Sequence, residues 1–266
     1  VAAKDDLLPL ALAKNTNQIE KISSKEGFDL FAMVKGNTAL HQIAAQKNKV
    51  DLLEQVLQFE EVQELESFDE IINADGHTLL QTTMINNRRD NFLFLIASGK
   101  VELLQTVKDK RLYPNGKPID DYDFNSLFFA MQTYLSTPVG HPSTNALKYT
   151  IDQMLRLDEV DKIVNQQNYY YKIVKGKRRL IWIAFELESI DLIKVLIEKG
   201  AELIPNHIIR AAQMISFPQN LFTQILTPQA AQAFSKDEKK EILRVVKDIH
   251  GKKSPIRVHV EKMMKN

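Results

Sequence analysis

Apolar residues recur along this chain at the spacing of amphipathic helices, in short blocks separated by polar turns. The pattern is clearest in residues 36–57 and 76–99, where two apolar blocks follow each other in the same order and phase. Thr38 and Thr78 stand where a side chain can cap the first helix, and Gly99 can end a second helix in the left-handed conformation. Each segment is therefore predicted to form a helix, a tight turn and a second helix.

A third copy of the pattern spans residues 176–203 and ends on Gly200. A looser copy occupies residues 125–155 and carries an insertion over 135–144. Residues 206–226 are another looser copy and predict a last, short helix pair. A degenerate opening unit is expected over 8–22. The positions equivalent to the first-helix leucine are Leu40, Leu80, Leu127, Leu180 and Ile208.

These repeated segments resemble the ankyrin repeat family. The family pattern runs Gly-x-Thr-Pro-Leu-His-x-Ala-Ala, then a turn with Gly, then a Val/Leu-rich second helix that closes on Gly-Ala-Asp. Its first half is followed by residues Gly36-Asn37-Thr38-Ala39-Leu40-His41-Gln42-Ile43-Ala44-Ala45. Asn48 stands at the position of the turn glycine. The family period is about 33 residues, so several of these units carry insertions. The resemblance implies an all-α, ankyrin-type helical repeat solenoid of about five irregular repeats over residues 1–226.

Residues 227–266 are predicted to form a C-terminal capping helix and a basic tail. Apolar residues within 235–249 recur at helical spacing among charged ones, and Ser235 and Glu238 have the spacing of a capping box. A repeat stack needs a polar-backed end, since the last repeat otherwise exposes its stacking face. One more short helix is expected over 256–264.

Charge and composition narrow the function. Lys and Arg number 35 against 34 Asp and Glu, so the formal net charge of +1 argues against a chain built mainly to neutralise a polyanion. Cysteine is absent, which excludes disulfides and thiolate sites from these residues. The longest apolar run, Leu180–Phe185, is too short to span a bilayer. We expect a cytoplasmic protein, in the host cytosol if it is a secreted bacterial effector, and a fragment, since the sequence begins with Val.

No motif of catalysis or metal binding emerges. Residues 251–254 lack the glycine spacing of a phosphate-binding loop, no His pair has metal-ligand spacing, and 120–123 has the composition of a solvated loop. The resemblance implies that His41 bonds neighbouring loop backbone. We therefore predict no catalytic residue, no cofactor and no metal.

In the ankyrin family, partners bind at the hairpin tips between repeats and in the groove beside the first helices. The resemblance places Tyr122 and Phe124 on either side of a hairpin turn in which Asp123 replaces the turn glycine. Groove positions carried over by the resemblance are Gln46, Ile85, Gln132 and Phe185. The aromatic residues Tyr122, Phe124 and Phe185 are either exposed contacts or pack beneath the long insertions. The predicted partner-binding residues are Lys35, Asn37, Asp75, His77, Tyr122, Phe124, Lys175, Lys177, Arg178, Arg179 and Phe185.

Two charged segments stand out. Residues 60–70 carry six acidic residues and no Lys or Arg, whereas 172–179 carries five basic residues and no acid, directly after three tyrosines. Each is either a solvated surface or a binding patch. Tyrosine beside arginine is typical of protein interfaces, and the same composition can track phosphates. The basic segment favours a protein partner with an acidic face, and nucleic acid ranks lower because the patch is short.

The sequence thus predicts a non-catalytic scaffold that binds another protein. Two other hypotheses stay open: a module that recruits substrates for a larger enzyme or belongs to a host-delivered bacterial effector, and nucleic-acid binding through residues 172–179. Oligomeric state is not indicated.

Overall fold

The computed structural model describes residues 16–24, 28–109, 122–168, 179–214 and 216–264. Backbone contacts divide the chain into two compact units: residues 1–157 with 168–177 form unit 1, and 158–167 with 178–266 form unit 2. The described residues are predominantly helical, which confirms the all-α prediction at that level, and one two-stranded sheet accompanies the helices.

Unit 1 contains eight helices, a 3-10 turn and a β-ribbon within its described residues. They are α1 Thr16–Ser23, α2 Ala39–Ala44, α3 Val50–Leu57, α4 Glu60–Gln63, the 3-10 turn Phe68–Glu70, α5 Leu79–Ile85, α6 Arg89–Ala97, β1 Thr106–Asp109, β2 Tyr122–Asn125, α7 Ser126–Ser136 and α8 Ser143–Leu155. Helices α2 and α3, α5 and α6, and α7 and α8 pack as pairs. Successive pairs stack, with α2, α5 and α7 in one row and α3, α6 and α8 in the other.

Unit 2 contains eight helices within its described residues. They are α9 Val160–Ile163, α10 Leu180–Glu186, α11 Ile190–Glu198, α12 Pro205–Gln213, α13 Gln219–Ile225, α14 Pro228–Gln232, α15 Lys236–Ile249 and α16 Pro255–Met263. Helices α10 and α11 pair as predicted, but α12 packs chiefly against α15, and α13 packs against α16. The predicted pairing of the two helices within 206–226 is therefore wrong: the amphipathic α15 offers α12 a longer apolar face than the seven-residue α13.

Side-chain caps set where several helices begin. The hydroxyls of Thr38, Thr78, Ser189 and Ser235 each accept a backbone N–H from the first turn of the following helix, as does the Asn125 amide oxygen. The capping box predicted at Ser235 is confirmed. These caps satisfy N–H groups that have no acceptor within the helix, and so they fix where each of these five helices begins.

The turns inside three helix pairs share one backbone feature. Asn48, Asn87 and Glu188 lie between the paired helices with positive φ angles of 57°, 56° and 51°. Gly99 and Gly200, which follow the second helices, have φ of 70° and 85°. The roles predicted for Asn48, Gly99 and Gly200 are confirmed, because a left-handed residue reverses the chain without a long loop.

The core follows the predicted first-helix positions. Leu40, Leu80, Leu127, Leu180 and Ile208 are all fully buried. The apolar spacing in the sequence therefore identifies interior positions of both units.

Candidate partner-binding groove

Two short hairpin loops in unit 1 precede the first helices α2 and α5. One is closed by a backbone bridge between Val34 and Asn37, and the other by a bridge between Ile72 and Thr78. Gly36 turns the first loop with φ of 80°. A Cβ there would also come within 3.3 Å of the Cβ of Ala74 in the second loop, which is a tight contact, so both the positive φ and this close approach favour glycine.

The two loops are bonded to each other. The Ala74 N–H donates to the Gly36 carbonyl at 2.9 Å, and the Asn73 side-chain amide donates to the Asn37 side-chain oxygen at 3.0 Å. The Asn73 side-chain oxygen also accepts the N–H groups of Asp75 and His77. Asn73 therefore orders the second loop and holds it against the first.

His41 strengthens the same junction from inside α2. Its Nε2 donates to the His77 carbonyl at 2.9 Å, and its Nδ1 accepts the Thr38 hydroxyl at 2.8 Å. This bond to loop backbone confirms the structural role expected for His41. Because the ring is fully buried, desolvation holds the pKa of His41 below its ordinary value, so the ring is neutral at physiological pH.

A groove of about 450 Å³ lies between these loops and the rows of α2 and α5. Its lining is largely polar, with Ile85 and Ala45 as the apolar members. The Thr82 hydroxyl is buried and has no hydrogen-bond partner among the described residues, although the residue lines the groove. The groove is lined by Asn37, His41, Gln42, Ala45, Asn73, Asp75, His77, Thr82, Ile85 and Asn86.

The structure brings together four of the predicted partner-binding residues at these loops. Lys35 and Asp75 are exposed, whereas Asn37 and His77 are half-buried. Asp75, Asn37 and His77 line the groove, as does the predicted groove position Ile85. An incoming molecule at the loop tips thus meets a carboxylate, an ammonium group and amide or imidazole groups.

Tyr122 and Phe124 do not flank a turn. Both lie in β2, which pairs antiparallel with β1, so that Phe124 faces Val107 and Asp123 lies mid-strand opposite Lys108. Phe124 is 1% exposed, so the hypothesis that it is an exposed contact is wrong, and its alternative place in the interior is correct. The antiparallel pairing of β1 with β2 replaces the tight turn that the resemblance implied at Asp123.

Phe185 is also buried, at 1% exposure, so the prediction that it is an exposed partner contact is wrong. Its ring stacks on His207, with the ring centroids 5.4 Å apart and the planes at 9°, and on Phe217 at 6.1 Å. Helix α12 and the segment after it cover this face of α10. The aromatic side chain contributes core packing to unit 2.

The remaining predicted contacts are in the basic segment. Arg179 lies just before α10, and its guanidinium forms an ion pair with Glu202 at 2.7 Å, so part of its charge is already matched. Lys175, Lys177 and Arg178 lie outside the described residues. Of the other predicted groove positions, Gln132 is buried and Gln46 does not line this groove.

Sequence reasoning missed four polar groove residues, Gln42, Asn73, Thr82 and Asn86, and the apolar Ala45. Thr82 and Asn86 are one helical turn apart on the face of α5 that carries Ile85, so this spacing is the signal that could have found them. Asn73 lies outside the repeat motif, in the connection before the second loop, and nothing in the motif marks it.

The acidic segment 60–70 has partly structural roles. Asp69 accepts the Glu102 N–H at 2.7 Å and the Gln105 side-chain amide at 2.6 Å, and the Glu70 carboxylate accepts the Ser67 N–H. These bonds anchor the 3-10 turn and the segment that leads into β1. Two of the six carboxylates in this segment therefore accept hydrogen bonds within unit 1.

In the part of the chain that the structure describes, no group of three or more His, Asp or Glu side chains is arranged to hold a metal ion. Nor does any helix there combine the length and the apolar character needed to cross a bilayer.

Comparison with known proteins does not identify a family or a function for this chain. No family model matches the chain, and no curated protein is similar to it. Among solved structures, the chain is similar to a chain in the complex of the Bd0816 predatory endopeptidase from Bdellovibrio bacteriovorus with the immunity protein Bd3460. That match has a TM-score of 0.44 and 16% identity, and it covers 76% of this chain and 84% of the other. A likeness this weak says nothing about activity.

Proposed function

We propose that this chain is a divergent ankyrin-type repeat scaffold that binds another protein at the hairpin tips and groove of unit 1 and carries out no catalysis itself. The helix pairs, their stacking in two rows and the hairpin loops between them support the family resemblance. So does the His41 ring, which bonds the backbone of the following loop.

The observation that carries the binding proposal is the groove, in which the Thr82 hydroxyl has no hydrogen-bond partner among the described residues. A buried hydroxyl without a partner costs roughly 1–3 kcal/mol, and a bound molecule that supplies a partner recovers part of that cost. The groove offers side-chain amides, an imidazole and the Asp75 carboxylate beside the apolar Ile85. This mixture suits a peptide segment, whose backbone donates and accepts hydrogen bonds and whose side chains cover Ile85.

The rim supports the same interpretation. Lys35 and Asp75 project from adjacent loops that are bonded to each other, so their positions are fixed before a partner arrives. Preorganised loops lose little conformational entropy on binding. Within the described residues, neither side chain bonds one loop to the other, and both charges can therefore select a partner by electrostatic complementarity.

The test fills the groove and leaves the fold intact. Gln42 lines the groove and is half-buried, and substitution Gln42→Trp should occupy the space that a peptide would enter. The matched control is Gln153→Trp, a half-buried glutamine of α8 that does not line the groove. We expect proteins captured from a cell lysate by the wild-type chain and by the control to be lost with Gln42→Trp, as identified by mass spectrometry.

A second pair of variants tests the rim. Charge reversal by Lys35→Glu and Asp75→Lys should leave the melting temperature nearly unchanged, since exposed substitutions usually alter stability by less than about 0.5 kcal/mol. The captured proteins should nevertheless be weakened or lost. Retention of every captured protein by both the filled groove and the reversed rim would refute the proposal.

A further inference from the structure

A second cavity in unit 1, of about 350 Å³, lies at the turns between the paired helices. It shares no lining residue with the groove, so a ligand in this cavity is independent of the proposed function. The lining includes three basic side chains, Lys47, Arg88 and Arg89, and one acidic side chain, Asp90. Asp90 is held by Arg89 at 3.0 Å and receives the Ser143 hydroxyl at 3.5 Å, so the lining has a net positive charge.

The cavity is also at the N-terminus of α6. The helix has nine residues, and its N-cap, Arg88, makes no side-chain cap. The first N–H groups of such a helix have no acceptor within it, and together with the helix dipole they favour an anion. The Arg88 guanidinium is held by a bond from Nε to the Ala45 carbonyl at 2.5 Å, and among the described residues its two terminal nitrogens have no hydrogen-bond partner, although Arg88 lines the cavity.

An independent observation comes from α7. Thr133 lines the cavity at 5% exposure, and its hydroxyl has no hydrogen-bond partner among the described residues. The carbonyl of Thr133 is occupied, since it accepts the hydroxyls of Ser136 and Thr137. A threonine hydroxyl in a helix can bond the carbonyl one turn earlier, but this one makes no such bond, and a ligand in the cavity would supply its missing partner.

The geometry points to a site for a phosphate oxyanion, either free phosphate or the end of a small phosphomonoester. A phosphate offers several acceptor oxygens, which match the guanidinium fork of Arg88, the N–H groups of α6 and the Thr133 hydroxyl. Lys47, exposed at the mouth of the cavity, adds charge without a fixed contact. The volume is within the range of about 300–1,000 Å³ that is usual for small-ligand pockets, so an organic group can accompany the phosphate.

The test measures phosphate affinity by calorimetric titration and by the phosphate-dependent rise in melting temperature, against sodium chloride at equal ionic strength. Three variants are compared with the wild type. Thr133→Val keeps the side-chain shape and removes only the hydroxyl, Lys47→Gln removes the charge at the mouth, and Lys148→Gln is the control, an exposed lysine of α8 that does not line the cavity.

We expect phosphate to raise the melting temperature of the wild type by a few degrees, as binding to the native state requires. Thr133→Val should melt no lower than the wild type without phosphate, because it removes an unsatisfied buried hydroxyl, and yet bind phosphate about tenfold more weakly. Lys47→Gln should bind about threefold more weakly, and Lys148→Gln should bind as the wild type does.

Phenyl phosphate separates the two sources of the anion. Binding of both phosphate and phenyl phosphate identifies a phosphomonoester site, and binding of phosphate alone identifies a site for the free ion; both support the proposal. Stabilisation equal to that by sodium chloride, or a wild-type affinity in Thr133→Val, would overturn it.

Discussion

His207 is the residue whose titration matters most for unit 2. It is 3% exposed, its ring stacks on Phe185, and its Nδ1 accepts the Ile204 N–H at the start of α12. Burial, and secondarily the positive charge of Arg179, lowers the pKa of His207 to about 4 from 6.5. The folded chain therefore binds this proton less readily than the unfolded chain does.

We expect stability to fall on acidification. The contribution of His207 is fully present above pH 6.5 and is lost as the pH falls from 6.5 towards about 4, because only the unfolded chain takes up the proton in that window. The loss is about 3 kcal/mol by pH 4. His41, whose pKa is also lowered by burial, adds to it in the same direction. Urea unfolding at a series of pH values measures the slope.

Two substitutions isolate the contribution of His207. His207→Gln does not titrate and can still accept the Ile204 N–H, as glutamine does in capping boxes, whereas His207→Ala loses both functions. Both variants should show a shallower decline in stability between pH 6.5 and 4, and His207→Ala should be the less stable at neutral pH. An unchanged slope in both would mean that the pKa of His207 is not lowered in the folded chain.

At the scale of the element, the turn inside the α10–α11 pair carries a strained residue. Glu188 has φ of 51°, where Asn48 and Asn87 occupy the equivalent turns of unit 1. Residues other than Gly, Asn and Asp lose about 1–2 kcal/mol in this conformation. The ion pair of Glu188 with Arg210, at 3.2 Å, is largely exposed and offsets little of that cost.

Glu188→Gly should therefore raise the free energy of unfolding by about 0.5–1 kcal/mol, after allowance for the greater freedom of glycine in the unfolded chain. Gly200→Ala is the converse control: φ is 85° and no atom lies within 4 Å of the added Cβ, so a loss of about 1 kcal/mol reports backbone strain alone. Chemical denaturation of both variants gives the comparison. A Glu188→Gly variant less stable than the wild type would show that the ion pair outweighs the strain.

Elements differ in how far the sequence could predict them. Helix pairs were predictable because capping residues such as Thr38 and Ser189 and left-handed turn residues such as Asn48 mark the ends of each apolar block. The β-ribbon was not, because each strand has four residues and Asp123 aligned with a turn glycine of the family. Pairing between Val107 and Phe124 depends on a long-range register that no local pattern encodes.

At the scale of the whole molecule, the repeated leucine predicts buried positions most reliably, whereas the exposed positions are the hardest to predict from the sequence. Phe185 stands at a groove position of the repeat pattern, but His207 and Phe217, which lie more than 20 residues later in the sequence, cover its ring. Groove residues such as Thr82 become visible only when the loops and the helices of two pairs meet. Core positions repeat in phase, whereas exposure depends on which other segments pack against each face.

The repeated leucines predict a uniform response in both units. Leu80→Ala and Leu180→Ala should each lower the free energy of unfolding by about 2–5 kcal/mol, since both side chains are fully buried. Val139→Ala is the control at a fully exposed position and should change stability by less than about 0.5 kcal/mol. Circular dichroism during urea titration measures all three. A small effect at either leucine would place that helix in a different register.

The way α6 holds the end of α2 has a consequence for synthesis of the chain. The Asn91 side-chain amide donates to the carbonyls of Ala44 and Gln46, and Arg88 donates to Ala45, so the free carbonyls of α2 find their donors 43–47 residues later. During translation, the first helix pair leaves the ribosome before those donors have been made. A fragment that contains α2 and α3 but lacks α6 has none of these donors, so we expect this pair to gain its full stability during translation only after the second pair has left the ribosome.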